Sequence, residues 1–252
     1  MRKKCTAIVL SAGSGKRMNS NVAKQYLLLQ GRPVIYYSIA AFEQSPLVDE
    51  IIVVTGKGDI PYMQEEIVQK YGFQKVSAIV EGGAERFHSV QNALRVLKDE
   101  HTDGTPEVTG GSYVLIHDGA RPLVTEEIIR DTYAATVEYG ACCAAMPVKD
   151  TIKVADACGF AVETPDRSTL YAVQTPQGFA VDVIKEAHGL LNERLSSPDG
   201  TGLMVTDDCM VVEEMLGKPV KLVEASYENI KITTPEDMEF AERLLEKRTK
   251  LT

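Results

Sequence analysis

Short runs of apolar, β-branched residues alternate with segments of helical periodicity along the first half of the chain. Four runs predict buried strands, at 7–10, 51–54, 76–80 and 113–116. The segments between and after them predict helices near 33–44, 62–71, 86–99 and 126–139. Continuous apolar strands separated by helices are typical of βαβ units, in which helices cover both faces of a largely parallel sheet. The alternation therefore predicts an α/β fold with a mainly parallel sheet.

The pattern changes after Pro147, where two short alternating stretches replace the βα rhythm. Thr151–Val154 and Ala161–Glu163 predict a small hairpin, so we expect an arm that protrudes at about 148–172. Helices are predicted again near 180–193, 207–216 and from Pro235 onward, with strands at 220–223 and 230–232. We see no repeat and no low-complexity linker, and we therefore expect residues 1–252 to form a single domain with this arm.

The composition limits which classes of partner and which cellular compartment we expect. Lys and Arg number 27 and Asp and Glu number 36, a net charge of −9, and a protein that binds nucleic acid normally carries a basic face. No apolar run approaches the roughly 18 residues of a membrane span. The five cysteines are odd in number and lack C-x-x-C spacing, which favours buried free thiols over zinc or disulfides. We expect a cytoplasmic protein with no nucleic-acid and no membrane partner.

A glycine-rich loop follows the first predicted strand directly, at the edge of the sheet where α/β proteins bind ligands. Gly13 and Gly15 let backbone N–H groups approach an anion. Met18 stands where the dinucleotide fingerprint needs its third glycine, and Arg17 stands where a Walker A loop needs Ser or Thr. Together with Lys24 the segment favours a phosphate-binding loop of another kind, and a solvated turn is the alternative.

Polar residues also follow the third and fourth predicted strands and precede a later helix. Residues 81–89 open a helix with two glycines, an arginine and a serine, which suits a base, a phosphate or an ordinary turn. Asp118 and Arg121 either bind a metal–phosphate unit or pair with each other. Residues 206–208 read first as a helix N-cap. Alternation in 230–232 turns Lys231 away from its isoleucine neighbours, toward solvent.

Eight segments taken in order resemble one family over roughly residues 5 to 245. The sequence is similar to the 2-C-methyl-D-erythritol 4-phosphate cytidylyltransferases of non-mevalonate isoprenoid biosynthesis. The segments that carry the resemblance are Ser11–Met18, Ala23–Tyr26, Gly82-Gly83 with Arg86 and Ser89-Val90, His117–Pro122, Asp150–Lys153, Gln174–Gln177, Thr206–Asp208 and Asn229–Thr233. Two positions depart from the family pattern: Ala23, where proline is usual, and Gly119, where alanine is usual.

The resemblance implies a Rossmann-like nucleotidyltransferase fold, CTP and a sugar-alcohol phosphate as substrates, Mg²⁺ as cofactor, and a homodimer whose arm reaches the partner. The residues that match catalytic positions are Arg17, Lys24, Lys231 and Arg167, the last acting from the neighbouring subunit. Those that match nucleotide-binding positions are Ala12, Gly13, Ser14, Gly15, Gly82, Gly83, Ser89 and Asp118. Those that match substrate-binding positions are Arg121, Thr151, Thr175 and Thr206. Asp118 is also the candidate carboxylate for Mg²⁺, which the CTP phosphates would mostly hold.

The implied chemistry agrees with the residues. A phosphate monoester is already largely a dianion at neutral pH, since its second pKa is about 6, so its attack on CTP needs no general base. The sequence offers no nucleophile elbow and no histidine spacing for zinc. Lys, Arg and Mg²⁺ suffice for positioning and charge stabilisation in phosphoryl transfer.

Three other functions stay open at this point. A ribitol 5-phosphate cytidylyltransferase shares the fold and much of the loop pattern, although Ser11–Gly13, Asp150–Lys153 and Thr206–Asp208 favour the methylerythritol enzyme. A regulatory module that binds a nucleotide without turnover is a second alternative. An NAD-dependent dehydrogenase is a third, and Met18 disfavours it.

Overall fold

A seven-stranded sheet forms the centre of the computed structural model, which describes residues 2–13, 23–97, 111–197 and 203–249. The strands of these residues are, in chain order, β1 (Cys5–Ser11), β2 (Leu28–Leu29), β3 (Arg32–Pro33), β4 (Glu50–Thr55), β5 (Val76–Glu81), β6 (Tyr113–Asp118), β7 (Ala141–Pro147), β8 (Val154–Ala155), β9 (Ala161–Glu163), β10 (Tyr171–Ala180) and β11 (Lys221–Glu224). The central sheet has the order β11-β7-β10-β6-β1-β4-β5, while β2–β3 and β8–β9 form two small hairpins.

Helices occupy most of the intervals between the strands. They are α1 (Val34–Gln44), α2 (Ile60–Tyr62), α3 (Arg86–Val96), α4 (Glu126–Tyr139), α5 (Val181–Ser196), α6 (Asp208–Leu216) and α7 (Pro235–Thr249). A π-helical segment, Met63–Gln69, continues α2, and short 3₁₀ turns lie at Lys24–Tyr26 and Arg167–Thr169. The predicted helices are confirmed within a few residues wherever the structure describes them. None of the described helices is long and apolar enough to cross a bilayer.

The sheet is mainly parallel, as predicted, with one reversed strand in its middle. Strand β1 pairs in parallel with β4 and β6, and β11 pairs in parallel with β7. Strand β10 is antiparallel to both of its neighbours, β6 and β7. The four strands predicted in the first half are confirmed. Strands β7 and β10 were not predicted, because β7 is rich in alanine and β10 contains glycine and proline, which have little β propensity.

Helices cover the sheet on both faces, and alternation along each strand divides the core between them. In β1, Ala7 and Val9 face the cluster that contains α1, while Ile8 faces the cluster formed with α3 and α5. All three residues are fully buried. The buried thiols predicted from composition lie in the same interior: Cys5, Cys142, Cys143 and Cys209 are buried and free, and Cys158 is exposed.

The arm projects from the sheet with its apolar side chains uncovered. Strands β8 and β9 pair as the predicted antiparallel hairpin, although it holds only two and three residues on its two sides. Phe160 is 71% exposed and Val162 is 63% exposed. Side chains of this kind are normally buried, so this surface is typical of one that another molecule covers.

The register of the sheet brings several strand ends to one edge. Leu10 lies beside Asp118, and Ser11 lies beside Thr55, which lies beside Glu81. A register irregularity in β10 between Val173 and Gln177 interrupts its pairing with β7 next to the same edge. The polar segments that follow β1, β5 and β6 therefore meet the centre of β10 there.

Candidate active site

The carboxylate of Asp118, at the end of β6, lies among three cations. Lys231 Nζ is 2.8 Å from Asp118 Oδ2, Arg86 Nε is 3.5 Å from Oδ1, and Arg121 Nε is 3.7 Å from Oδ2. The Asp118 side chain is 12% exposed, and that of Arg121 is 11% exposed. The predicted pairing of Asp118 with Arg121 is confirmed, and it is one part of a larger cluster.

Charge compensation decides the ionisation of this cluster. Burial by itself disfavours the charged carboxylate, but Arg86, Lys231 and Arg121 hold the pKa of Asp118 well below its ordinary range. Burial likewise opposes the charge of Arg86, and Asp208 and Asp118 outweigh it and raise the pKa of that guanidinium. Asp118 and Arg86 are thus both ionised at neutral pH, in a position where each depends on its partners.

Arg86 is the first residue of α3, and its guanidinium also contacts a second carboxylate, that of Asp208. Arg86 Nη1 donates to Asp208 Oδ2 at 2.6 Å. Asp208 is fully buried at the start of α6, where the side chain of Asp207 caps the helix by accepting from Met210 N. The predicted N-cap at 206–208 is therefore confirmed, and Asp208 also binds Arg86. Arg86 Nη2 is buried and has no hydrogen-bond partner among the described residues.

Backbone contacts hold the other two cations. Arg121 Nη1 donates to the carbonyl of Asn229 at 2.7 Å, and Ile232 N donates to the carbonyl of Ala120 at 2.8 Å. Lys231 lies between these two anchors. The strand predicted at 230–232 is wrong, because this segment is bound to the loop after β6 and belongs to no ladder. The same binding brings Lys231 Nζ to Asp118, although the lysine side chain stays 38% exposed.

Two cavities adjoin this cluster and share Arg86, Asp118 and Lys231 in their walls. The smaller has a volume of about 380 Å³ and lies over the end of β1 and the start of α3. The larger has a volume of about 530 Å³ and lies over β10, the start of α6 and β11. Two separate ligands can therefore meet at one set of charges.

The smaller cavity collects most of the predicted nucleotide-binding residues. Its lining includes Ala12, Gly13, Gly83, Ser89 and Asp118 together with the predicted catalytic Lys24. Lys24 Nζ donates to the carbonyl of Ile232 at 3.0 Å. Ser14, Gly15 and Arg17 lie outside the described residues.

The turn after β5 is too close-packed for any residue with a side chain. A Cβ on Gly82 would lie 2.3 Å from Ala12 Cβ, and a Cβ on Gly83 would lie 2.3 Å from His88 Cβ. Ser89 Oγ accepts from Gly83 N at 3.1 Å. This packing gives a physical reason for two glycines before Arg86, and Gly83 lines the cavity.

The two departures from the family pattern leave the site intact. Ala23 has φ −59°, within the range that proline would impose, so the backbone keeps its course without the ring. Gly119 N donates to the carbonyl of Leu10 at 2.8 Å. A Cβ there would lie 2.5 Å from Ile35 Cδ1, so glycine relieves a close contact with a flexible side chain.

The larger cavity collects three of the four predicted substrate-binding residues, Arg121, Thr175 and Thr206. Thr175 is 4% exposed, whereas Thr206 is exposed. The fourth, Thr151, and the predicted catalytic Arg167 are exposed on the arm and line neither cavity of their own chain. Arg167 Nη1 donates to the carbonyl of Lys149 at 2.8 Å, so it is held within the arm.

The sequence predicted Asp208 only as part of a helix N-terminus and left Arg86 without a definite role. Their contact spans 122 positions in the chain, and no local spacing announces it. Gln177 was also not singled out, yet its side chain bonds to Asp207 Oδ2 at 2.8 Å and to Asp208 N at 3.1 Å. The sequence signal for this contact was the pair of consecutive aspartates before an apolar helix. One capping residue is enough for a helix N-terminus, so the second aspartate is available for another contact.

Comparison with known proteins agrees with this geometry. The family model described as IspD: 2-C-methyl-D-erythritol 4-phosphate cytidylyltransferase matches residues 5–247. A protein of that name from Lachnospira eligens is 52% identical over 236 residues, covering 94% of this chain and 96% of the relative. One from Lachnoclostridium phytofermentans is 47% identical over 243 residues, covering 96% and 97%.

Solved structures agree as well. The 4-diphosphocytidyl-2C-methyl-D-erythritol synthase of Anaerococcus prevotii superposes with a TM-score of 0.78 at 32% identity, covering 97% of this chain and 96% of that one. The 2-C-methyl-D-erythritol 4-phosphate cytidylyltransferase of Thermus thermophilus gives a TM-score of 0.72 at 28% identity, covering 96% and 98%.

We predict that Asp118→Asn lowers the free energy of unfolding by about 3 kcal/mol at pH 7, because it leaves buried cations without their shared counter-ion. Its lowered pKa means that the wild-type contribution is complete above the unfolded-state value near 3.9 and is lost as the pH falls below it. Urea unfolding measures the change. Glu66→Gln, which breaks the exposed pair with Lys70, is the control and costs less than about 1 kcal/mol. Equal losses would contradict the assignment.

Proposed function

The chain belongs to the 2-C-methyl-D-erythritol 4-phosphate cytidylyltransferase family, and we propose that the two adjoining cavities are where it acts. The enzyme transfers a cytidylyl group from CTP to 2-C-methyl-D-erythritol 4-phosphate, giving 4-diphosphocytidyl-2-C-methyl-D-erythritol and pyrophosphate. The observation that carries the placement is the common wall of Arg86, Asp118 and Lys231. A reaction between two phosphorylated molecules needs two binding spaces that meet at positive charge.

The reaction proceeds by attack of a phosphate oxygen of the sugar alcohol on the α-phosphorus of CTP, with loss of pyrophosphate. The nucleophile is already an anion, so the protein has to bring two anions together and stabilise the charge on the transferred group. Arg86, Arg121 and Lys231 supply fixed positive charge, and Asp118 prevents them from repelling one another. Arginine offers bidentate contacts to phosphate, and lysine acts as a point charge.

We assign CTP to the smaller cavity and the sugar-alcohol phosphate to the larger. Backbone groups of Gly13 and Gly83 allow close approach of a base or a phosphate, and Lys24 lines the same cavity. Arg121, Thr175 and Thr206 lie around the larger space. Ser14, Gly15 and Arg17 extend the loop after β1 in the sequence, and we assign them to the triphosphate.

Mg²⁺ is proposed to enter with the triphosphate. The described residues contain no cluster of three or more metal-ligating side chains. Asp118 is an ionised carboxylate at the shared wall, and it fits as a single protein contact for a cation that keeps mostly phosphate and water ligands. Bound there, Mg²⁺ would neutralise phosphate charge, while Arg86 and Lys231 keep Asp118 in place.

A homodimer is proposed to complete the larger cavity. Thr151 and Arg167 match substrate and catalytic positions of the family, yet both lie on the arm, away from the cavities of their own chain. The exposed Phe160 and Val162 give the arm an apolar surface for the partner. An arm that crosses to the neighbouring subunit brings both polar residues to the partner's larger cavity.

The test of this function is pyrophosphate release from CTP in the presence of 2-C-methyl-D-erythritol 4-phosphate, run side by side with ribitol 5-phosphate. We expect kcat/KM to favour the methylerythritol substrate by at least about a hundredfold, the discrimination that a site achieves when it pairs its buried polar groups with one substrate. A preference for ribitol 5-phosphate would reassign the substrate, and CTP binding without turnover would support the regulatory module.

We predict that Lys24→Ala lowers kcat at least about a hundredfold, the cost of one preorganised charge at a reacting centre. Steady-state pyrophosphate release measures the change, and the melting temperature shows whether the variant is folded. Lys70→Ala is the matched control, because Lys70 is an exposed lysine whose pairing with Glu66 is remote from both cavities. Normal turnover by a folded Lys24→Ala protein would refute the role.

We predict that Arg167→Ala raises KM for the sugar-alcohol phosphate about tenfold or more and leaves KM for CTP unchanged, because one charged phosphate contact is lost. Arg130→Ala, on the exposed face of α4, serves as the control. A rise in KM for CTP alone would place the arm at the smaller cavity. Sedimentation of the wild type as a monomer under assay conditions would remove the proposed dimer.

A further inference from the structure

Lys24 lies in a short 3₁₀ turn, residues 24–26, which we call the lysine turn. Its side chain lines the smaller cavity, and Nζ donates to the carbonyl of Ile232 at 3.0 Å. The turn is closed by backbone hydrogen bonds from Tyr26 N and Leu27 N, of 2.8 and 3.2 Å, and no side chain caps it. A 3₁₀ turn of this length has poor hydrogen-bond geometry, so contacts with other elements have to hold it in place.

The residue after the lysine binds the turn to the end of β1. Gln25 is 3% exposed, and its Nε2 donates to the backbone carbonyl of Ser11 at 2.8 Å. Ser11 is the last residue of β1, directly before the glycine-rich loop, and both Ser11 and Gln25 line the smaller cavity. A buried amide is tolerated when it is hydrogen-bonded, so this contact fixes the direction of the Gln25 side chain and, with it, the backbone next to Lys24.

The next residue binds the turn to the neighbouring strand. Tyr26 Oη is 2.8 Å from Thr55 Oγ1 and 3.3 Å from Asp59 Oδ2. Thr55 is fully buried at the end of β4, where its register partner in β1 is Ser11. The Tyr26 ring also packs on the core cluster that contains α1. The two side chains that follow Lys24 therefore bind two paired strand ends, one each.

We propose that Gln25 and Tyr26 are positioning residues for Lys24, because they fix the lysine turn on the ends of β1 and β4 and so hold the Lys24 side chain at the wall of the smaller cavity. The inference rests on the proposed function for the role of Lys24, and it adds the two residues through which the sheet places that lysine. A lysine side chain is long and flexible, so its charge is only as well placed as the backbone that carries it. Small displacements of a charge at a reacting centre are costly in rate.

The first test needs no substrate. Gln25→Met keeps the length of the side chain and removes its hydrogen-bonding groups, and Tyr26→Phe removes the hydroxyl alone. Hydrogen exchange of the Leu27 amide, which donates to the Lys24 carbonyl, reports opening of the lysine turn in the full-length protein. We expect this amide to exchange about three- to tenfold faster in each variant than in the wild type, the effect of losing one hydrogen bond. Unchanged exchange in both variants would overturn the proposal.

The second test asks whether the two residues act through Lys24. We expect kcat for the transfer to fall about tenfold in Q25M and about threefold in Y26F, while KM for the sugar-alcohol phosphate stays within about twofold. In a Lys24→Ala background the same substitutions have no ammonium left to position, so each should lower kcat by less than about twofold more. Equal losses in both backgrounds, or a rise in KM for CTP with kcat unchanged, would overturn the positioning role.

Gln74→Met is the matched control, because Gln74 Nε2 also donates to a backbone carbonyl, that of Gly72 at 3.0 Å, on an exposed surface that lines neither cavity. It should change neither the exchange in the lysine turn nor kcat. If the melting temperature shows that Q25M does not fold, Y26F carries both tests, since it removes only a hydroxyl oxygen. Absence of transfer by the wild type, or normal turnover by a folded K24A protein, counts against the proposed function. Wild-type transfer with equal losses in both backgrounds counts against this inference alone.

Discussion

The burial of the Asp118 carboxylate among Arg86, Arg121 and Lys231 is the interaction on which the site depends. A charge in a poorly solvated position is tolerated only when its partners are held in place, and truncating one partner leaves the rest uncompensated. The three cations come from the start of α3, the loop after β6 and the segment before α7. One electrostatic requirement therefore fixes the relative placement of three distant parts of the chain.

The same cluster explains how an acidic protein binds two anions. The chain carries a net charge of −9. The wall shared by the two cavities nevertheless contains two cations, Arg86 and Lys231, and one carboxylate, that of Asp118. Asp208 lies deeper, fully buried, and orients Arg86 without facing the smaller space. Local arrangement, and not total charge, sets the potential that a phosphate meets.

The reversed strand β10 decides where the second cavity lies. Between its two pairings the backbone at Gln174–Pro176 leaves the ladder with β7, and the side chains there bind inward: Gln174 Nε2 to the Ser226 carbonyl at 2.9 Å, and Thr175 to His117. Asn229 Nδ2 donates to the Thr175 carbonyl at 2.9 Å, which joins the strand to the segment that carries Lys231. The Thr175 carbonyl, a backbone group that a regular strand would pair with its neighbour, here accepts from a side chain instead.

Hydrophobic periodicity and glycine are local signals, and they were enough to predict the α/β class, the four strands of the first half, most helices and the glycine-rich segments after β1 and β5. Resemblance then supplied the activity. Three features became visible only in the folded chain: β10 runs antiparallel through the middle of the sheet, 230–232 is no strand, and Arg86 pairs with Asp208 across 122 positions. These contacts join residues far apart in the chain, and burial, which sets their ionisation, exists only in the folded protein.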